Sequence, residues 1–206
     1  MIASALAGSA RLVAGSTVRS LSGAEMDTTQ RIYIANHSSH LDFIVLWAHL
    51  PPRTRALARP VAAADYWSTG IRRYLAEQVF HAVLIARNAG PGDAAGLRMG
   101  HQALVSMAEA LGDRHSLILF PEGSRSTGEM GPFHSGLFHL CRLRPDVDVM
   151  PVYMENLNRI LPKGETLPVP MLSRIIFGLP FRLEVGETKA AFMDRAWHAV
   201  GDLRKA

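Results

Sequence analysis

Cysteine is almost absent from this chain of 206 residues, which contains Cys141 and no other. A single cysteine excludes a disulfide framework and a zinc site built from four cysteines. Because Cys141 lies in the apolar run 137–143, we expect a buried structural thiol. This cysteine usage agrees with a reducing, cytoplasmic compartment.

Long apolar runs are also missing. No stretch approaches 18 consecutive apolar residues, so we expect no transmembrane helix. The first 22 residues lack a charged start and a clear apolar block, which argues against a signal peptide. They predict a short helix that either lies on a membrane surface or packs on the protein. We therefore divide the chain into an N-terminal segment, 1–22, and a main domain, 23–206.

Lysine is scarce, with three residues against 19 arginines. Residues 51–100 hold seven arginines and three acids, and this excess of four positive charges equals the net charge of the whole chain. Such a field attracts phosphate, acidic carrier proteins or anionic lipid. Arginine suits bidentate phosphate contacts in particular. No nucleic-acid-binding signature accompanies the charge, so we predict no nucleic-acid partner.

Apolar residues make up 48% of the chain, enough for a sizeable core, and strand-like and helix-like stretches alternate. We predict strands at 31–35, 54–62, 80–86, 116–120 and 147–154, with one or two more within 175–185. We predict helices at 39–49, 65–79, 94–112, 135–143 and 189–204. This order predicts a single α/β domain with a mostly parallel central sheet flanked by helices. Such sheets carry their sites at the carboxyl ends of strands.

Polar and titratable residues crowd the stretch IANHSSHLDF (34–43), which begins at the end of the first predicted strand. His37 and Asp42 are five positions apart, a spacing that in a continuous helix would turn them about 140° away from each other. They meet only if His37 lies in the turn before the helix. The intervening serines are residues that cap helices and fold such turns. An aspartate on one imidazole nitrogen fixes the tautomer, and the other nitrogen can then take a proton from a hydroxyl.

Two other interpretations of this stretch stay open. His37 and His40 are spaced for metal binding, but no third ligand accompanies them, so we predict no metal site. Alternatively, the stretch is a helix cap with incidental histidines.

A second polar cluster, in LILFPEGSRSTG, follows the buried strand predicted at 116–120. Gly123 permits a positive backbone angle or the close approach of a ligand. Arg125 can fork onto a phosphate with the hydroxyl of Ser124 beside it, while Glu122 lies at the strand end. The alternative is a surface turn with a Glu–Arg pair. Two such clusters at strand ends favour a functional site.

These blocks resemble the glycerolipid (lysophosphatidic acid) acyltransferases. NHSSHLD (36–42) is similar to their N-H-x-x-x-x-D signature, and FPEGSRS (120–126) to their F-P-E-G-[ST]-R-S block. HAVLIAR (81–87) resembles their second block and places Arg87 at its arginine. VMPVYM (149–154) resembles their fourth block. Two departures concern the acceptor head group: His81 stands where a glycine is usual, and FHSG (133–136) where the family has Phe-Lys-x-Gly.

The resemblance implies transfer of an acyl group from acyl-CoA or acyl carrier protein to a hydroxyl of a lysophospholipid, most simply 1-acyl-glycerol-3-phosphate, giving phosphatidic acid. His37 and Asp42 would be the catalytic pair. The implied substrate-binding residues are Arg87, Glu122, Gly123, Ser124 and Arg125. No metal or redox cofactor is required. Backbone N–H groups at 38–42 are our candidates for holding the oxyanion.

An apolar acceptor must be taken from a bilayer, so we expect a peripheral protein on the inner face of the cell membrane. A basic, aromatic surface would attach it to anionic lipid or dock an acidic carrier protein. The residues expected there are Trp47, Tyr66, Trp67 and the arginines at 53–73.

Four alternative functions remain open. They are an acyltransferase acting on a lyso-ornithine lipid, one acting on a glycolipid, a thioester or lipid hydrolase, and a non-catalytic binder of anionic membranes. The hydrolase alternative lacks a G-x-S-x-G nucleophile elbow.

Overall fold

A computed structural model describes residues 2–24, 27–39, 41–86, 94–126, 129–157 and 172–206, with only the backbone for 94–97. In this part of the chain, one sheet contains seven strands in the order β1-β7-β6-β2-β5-β3-β4. The strands are β1 Ser16–Ser20, β2 Arg31–Ala35, β3 Ala58–Ala63, β4 Val83–Ile85, β5 Ser116–Leu119, β6 Asp148–Glu155 and β7 Ser173–Phe177.

Helices precede, separate and follow these strands in the chain. They are α1 Ile2–Ala14, α2 Asp42–His49, α3 Pro52–Leu57, α4 Ala64–Trp67, α5 Gly70–Tyr74, α6 Ala94–Leu111, α7 Gly136–Leu143 and α8 Lys189–Gly201. A π-helical turn, Leu75–Val79, extends α5, and a 3₁₀ turn, Asp202–Lys205, follows α8. No helix in the described ranges is long and apolar enough to cross a membrane.

The sheet is mostly parallel, as predicted. Strands β6, β2, β5, β3 and β4 run in one direction, and β7 with its parallel partner β1 runs in the other. The carboxyl ends of the five co-directional strands therefore meet at one edge of the sheet. The residues after β2 and β5, which are neighbours, contain the two polar clusters of the sequence.

Both faces of the sheet are covered. Along β2, Tyr33 and Ala35 belong to one apolar cluster, while Ile32 and Ile34 belong to the other, as expected from alternating side chains in a strand buried on both faces. Residues of α1 and α2 complete the first cluster, and residues of α6, α7 and α8 complete the second. The N-terminal helix thus packs on the protein along one side, although Ile2 and Leu12 on it stay exposed.

Outside the site, the predicted elements differ from the observed ones most clearly in three places. Residues 54–57, predicted as strand, belong to helix α3, because Pro52 has the fixed φ suited to a first helical turn. The helix predicted at 65–79 is interrupted at Ser68 and Thr69, directly before Gly70, whose φ is +57°. Strand β1 was not predicted at all; its sequence, STVRS, is largely polar because it is an exposed edge strand.

Candidate active site

The side chain of Asn36 continues the hydrogen bonding between β2 and β6 at the point where β2 ends. The side-chain amide of Asn36 donates to the Met154 carbonyl oxygen (2.9 Å), and its side-chain oxygen accepts from the Met154 N–H (2.8 Å). The side chain thereby imitates one more peptide group of β2 beside β6. The backbone of Asn36 is then free to turn, which places His37 at the edge of the sheet.

His37 and Asp42 meet as the spacing predicted. The Nδ1 atom of His37 lies 2.8 Å from Oδ2 of Asp42, which is fully buried. The same Oδ2 accepts the backbone N–H groups of Ser38 (2.6 Å) and Ser39 (2.8 Å). Helix α2 begins at Asp42 rather than at 39, since 36–39 form the turn that this carboxylate holds together.

The imidazole of His37 has a defined orientation. Because Asp42 accepts, Nδ1 carries the proton and Nε2 presents its lone pair. The side chain is 23% exposed, and no described residue forms a hydrogen bond with Nε2. The ring stacks on Phe120, with centroids 4.4 Å apart and planes at 26°. This arrangement can accept a proton from a hydroxyl that enters from solvent.

The second polar cluster is bonded to the first. After β5, Gly123 has a φ of +68°, and its N–H donates to the Phe120 carbonyl oxygen (3.0 Å) to close a turn. Ser126 then donates its backbone N–H (2.8 Å) and its hydroxyl (3.2 Å) to the carbonyl oxygen of His37. The two motifs therefore form one unit at the carboxyl ends of β2 and β5.

Glu122 lies beneath this unit and is 5% exposed. Its Oε1 accepts the His37 N–H (2.7 Å), and its Oε2 accepts the Gly131 N–H (2.8 Å). Sequence reasoning assigned Glu122 to the substrate and gave no indication of Gly131. Neither the residue type nor the spacing of Gly131 distinguishes it from other loop glycines.

The remaining predicted binding residues differ in their surroundings. Arg125 is half-buried, and no hydrogen bond or ion pair joins its guanidinium to another described residue; Ser124 is exposed. Gly123 is exposed, but the ring of His134 lies close to it, because a Cβ there would lie 2.8 Å from Cδ2 of His134. Arg87 and His40 lie outside the described residues.

We predicted that backbone N–H groups at 38–42 hold the oxyanion, and this prediction is wrong for the described residues in that range. Ser38 and Ser39 donate their backbone N–H groups to Asp42. The next two described backbone N–H groups are also occupied. Leu41 donates to Oγ of Ser39, and Asp42 donates to the carbonyl oxygen of Ser39. The carboxylate that orients His37 thus uses the donors that the oxyanion would need.

The prediction of a basic, aromatic surface is also wrong for some of its residues. Trp47 is 2% exposed and packs in the core. Arg55 is buried against it, 5.1 Å from the ring centroid, and donates to the Ala48 carbonyl oxygen. Arg59 of β3 bonds to His115, which directly precedes β5. These side chains stabilise the fold and are not available to a membrane.

No second centre for chemistry emerges from the described residues. They contain no cluster of three His, Cys, Asp or Glu side chains that could hold a metal ion. Burial raises the pKa of the Cys141 thiol to about 12, which keeps it protonated and unreactive.

Comparison with known proteins agrees with the motifs. The model of the acyltransferase family matches residues 18–155, more than half of the chain and the part that contains both clusters. A search among curated proteins gives no significant match. The crystal structure of the 1-acyl-sn-glycerophosphate (LPA) acyltransferase PlsC from Thermotoga maritima shares the fold, with a TM-score of 0.74 over 99% of this chain and 78% of that one, at 16% identity. The resemblance inferred from the sequence is thus confirmed: the chain belongs to the acyltransferase family and is an acyltransferase enzyme.

Proposed function

We propose that this enzyme transfers a fatty acyl group from a thioester to the free hydroxyl of a lysophospholipid, with 1-acyl-glycerol-3-phosphate as the first candidate acceptor. The observation that carries the proposal is the imidazole of His37. It is bonded through Nδ1 to buried Asp42, it is 23% exposed, and its Nε2 has no hydrogen bond to a described residue. The residue before Ser126, which binds the His37 carbonyl oxygen, is Arg125. The backbone of Arg125, which we propose to bind the acceptor phosphate, therefore lies next to the residue that is bonded to the proposed base.

The reaction would proceed by direct attack. Nε2 of His37 takes the proton of the acceptor hydroxyl as its oxygen bonds to the thioester carbonyl carbon. The C–S bond then breaks, the thiolate leaves, and the proton held by His37 passes to the sulfur. Asp42 stabilises the transient imidazolium and keeps its orientation. The products are the diacyl lipid and the free thiol of the carrier, with no acyl-enzyme intermediate.

The acceptor phosphate would be bound by the second cluster. Arg125 supplies a bidentate guanidinium and Ser124 a hydroxyl, with Arg87 as a further cation. The positive φ of Gly123 turns the chain, and exposed Ser124 and half-buried Arg125 follow it. The backbone N–H groups of Ser124 and Arg125 have no acceptor among the described residues. We assign the oxyanion to these amides, because those at 37–39 are occupied.

The lipid substrate would reach the site from an anionic membrane surface, and we propose that the contact is made by α4 and α5. Ile71 is 70% and Tyr74 47% exposed, and their spacing of three places both on one side of a helix. The Arg72 guanidinium lies 4.5 Å from the ring centroid of Tyr66. Arginines and aromatic rings beside exposed apolar side chains are typical of interfacial helices.

This surface is connected to the site. Helix α4 begins directly after β3, at the edge of the sheet that contains His37. Trp67 of α4 packs edge-on against Phe43, with centroids 5.2 Å apart, and Phe43 follows Asp42 in the sequence. Such a contact would set the enzyme on the inner face of the cell membrane with its base near the lipid head groups.

Product analysis with purified protein tests the proposal. Acyl-CoA or acyl carrier protein is supplied with 1-acyl-glycerol-3-phosphate, a lyso-ornithine lipid or a lysoglycolipid, and products are identified by mass. We expect phosphatidic acid from the first acceptor, and a loss of about 10²–10⁴ in rate for His37→Ala. Thioester release that does not need an acceptor would identify a hydrolase instead. Full activity of the alanine variant would overturn the mechanism.

A further inference from the structure

We infer that Glu122 is a positioning residue for His37, and that Trp197 of helix α8 fixes it in place through Gly131. The inference rests on the proposed role of His37 as the base, but it concerns different residues and different contacts. Sequence comparison with the family gives no indication of the outer part of this chain of contacts, since Trp197 lies beyond the matched residues 18–155.

The inner contact is short and charge-assisted. Oε1 of Glu122 lies 2.7 Å from the His37 nitrogen, within the range of a strong bond between a carboxylate and an N–H group. Glu122 is nearly inaccessible to solvent, so it is poorly placed to bind a glycerol hydroxyl. Two carboxylates therefore hold one histidine at different atoms: Asp42 binds the ring, and Glu122 binds the main chain.

The outer contacts fix the carboxylate of Glu122. Its Oε2 accepts the Gly131 N–H, and the carbonyl oxygen of Gly131 accepts Nε1–H of Trp197 at 3.0 Å. A Cβ at residue 131 would lie 3.3 Å from Oε2, so glycine allows this close approach. Helix α8, which contains Trp197, is anchored in the core by Phe192, Ala196 and Val200.

The chemistry of the contacts requires a carboxylate. Both partners of Glu122 are donors, and a carboxylate can accept from both, whereas a side-chain amide offers one acceptor and one donor group. In Glu122→Gln the amide would face one of the two N–H groups, whichever way it turns. The His37 turn would then lose one of its supports, and small displacements of a catalytic base cost large factors in rate.

Steady-state kinetics of three variants test the inference: Glu122→Gln, Trp197→Phe and the control Asp148→Asn. Asp148 pairs with Arg182, outside both polar clusters. We expect kcat to fall on the order of 10²-fold in Glu122→Gln and several-fold in Trp197→Phe, while KM for donor and acceptor stays at the wild-type value. Asp148→Asn should keep wild-type kcat. A raised acceptor KM with unchanged kcat in Glu122→Gln would instead identify a substrate-binding residue and overturn the inference.

An NMR measurement separates positioning from general loss of stability. The backbone amide proton of His37 should resonate downfield in the wild type, because it is bonded to a carboxylate. It should move upfield in both variants at a temperature where each is folded, and an unmoved resonance would overturn the inference. The proposed function fails separately if His37→Ala stays active. The inference alone fails if that variant is inactive while Glu122→Gln and Trp197→Phe retain wild-type kcat.

Discussion

The imidazole of His37 lies almost flat on the ring of Phe120, with the two planes inclined at 26°. Phe120 follows β5 directly, so the stack joins the ends of two neighbouring strands. Replacing Phe120 with Leu keeps an apolar side chain but removes the flat surface that limits ring rotation. We expect kcat to fall by about 2- to 10-fold, in line with an aromatic contact of about 0.5–1.5 kcal/mol. Kinetics at saturating substrate check this, and Phe120→Tyr, which keeps the ring, is the matched control.

Substitution of Asp42 by Asn should affect stability as well as rate. One oxygen of Asp42 accepts three donors, and the other, Oδ1, is buried without a hydrogen-bond partner among the described residues. The amide NH₂ of Asn would occupy that buried position without an acceptor. We expect the free energy of unfolding to fall by about 1–3 kcal/mol, and kcat by a factor on the order of 10²–10⁴. Urea unfolding and kinetics measure the two effects; an unchanged stability would contradict the first.

Gly123→Ala should destabilise the second cluster for two separable reasons. The φ of +68° costs about 1–2 kcal/mol for a residue with a Cβ, and the new methyl group would contact the ring of His134. In a His134→Ala background only the backbone cost remains. We therefore expect Gly123→Ala to lower the thermal midpoint less in that background than in the wild type. Equal losses in the two backgrounds would show that the ring simply moves away.

Membrane attachment through α5 predicts that Ile71→Asp weakens binding to phosphatidylglycerol vesicles by about 10-fold or more, since an apolar side chain contributes about 1.5–3 kcal/mol when buried. Leu143→Asp is the matched control, because Leu143 is 54% exposed on α7, which covers the opposite face of the sheet. Sedimentation with vesicles measures the binding. Activity on a short-chain, water-soluble acceptor should be the same in both variants. Equal binding by both would contradict the assignment of this surface.

Stability should decrease as the pH falls below about 6.5, partly because of His49. Burial lowers the pKa of His49, whose ring bonds to the Val45 carbonyl oxygen and to Oγ of Ser16 on β1. The unfolded chain thus binds more protons than the folded one between the two pKa values. The contribution of His49 is complete above the unfolded pKa and is lost as the pH falls towards the lower, folded one. Thermal midpoints from pH 8 to pH 5 should fall less steeply in His49→Gln than in the wild type.

Much of the site could be predicted because its residues are close in sequence. His37 and Asp42 are five residues apart, and the polar turn between them has few ways to fold against a buried strand. The strand β2 was predictable from its apolar run, and its carboxyl end located the site. The edge strand β1 could not be predicted, because exposed strands carry no apolar alternation.

Apart from the pair His37 and Asp42, the hydrogen-bond partners in the site could not be predicted. Any of several anions could have accepted the Ser38 and Ser39 amides, and only the atomic positions show that Asp42 does. Glu122 looked like a ligand-binding group because charged residues at strand ends often are. Its partner Gly131 is nine residues away, and the Trp197 that holds Gly131 comes from the last helix, 66 residues further on.

The side chain of Asn36 has a consequence for redesign of this enzyme. Its amide supplies both a donor and an acceptor to Met154. Asp or Leu at this position would therefore leave one or both of the Met154 main-chain groups without a hydrogen bond. In the described part of the turn that follows, the main-chain bonds of His37, Ser38 and Ser39 given above go to Glu122, Asp42 and Ser126, which lie outside β6. Loops transplanted from related enzymes should therefore be joined after residue 36, because the bonds between Asn36 and β6 then stay in place.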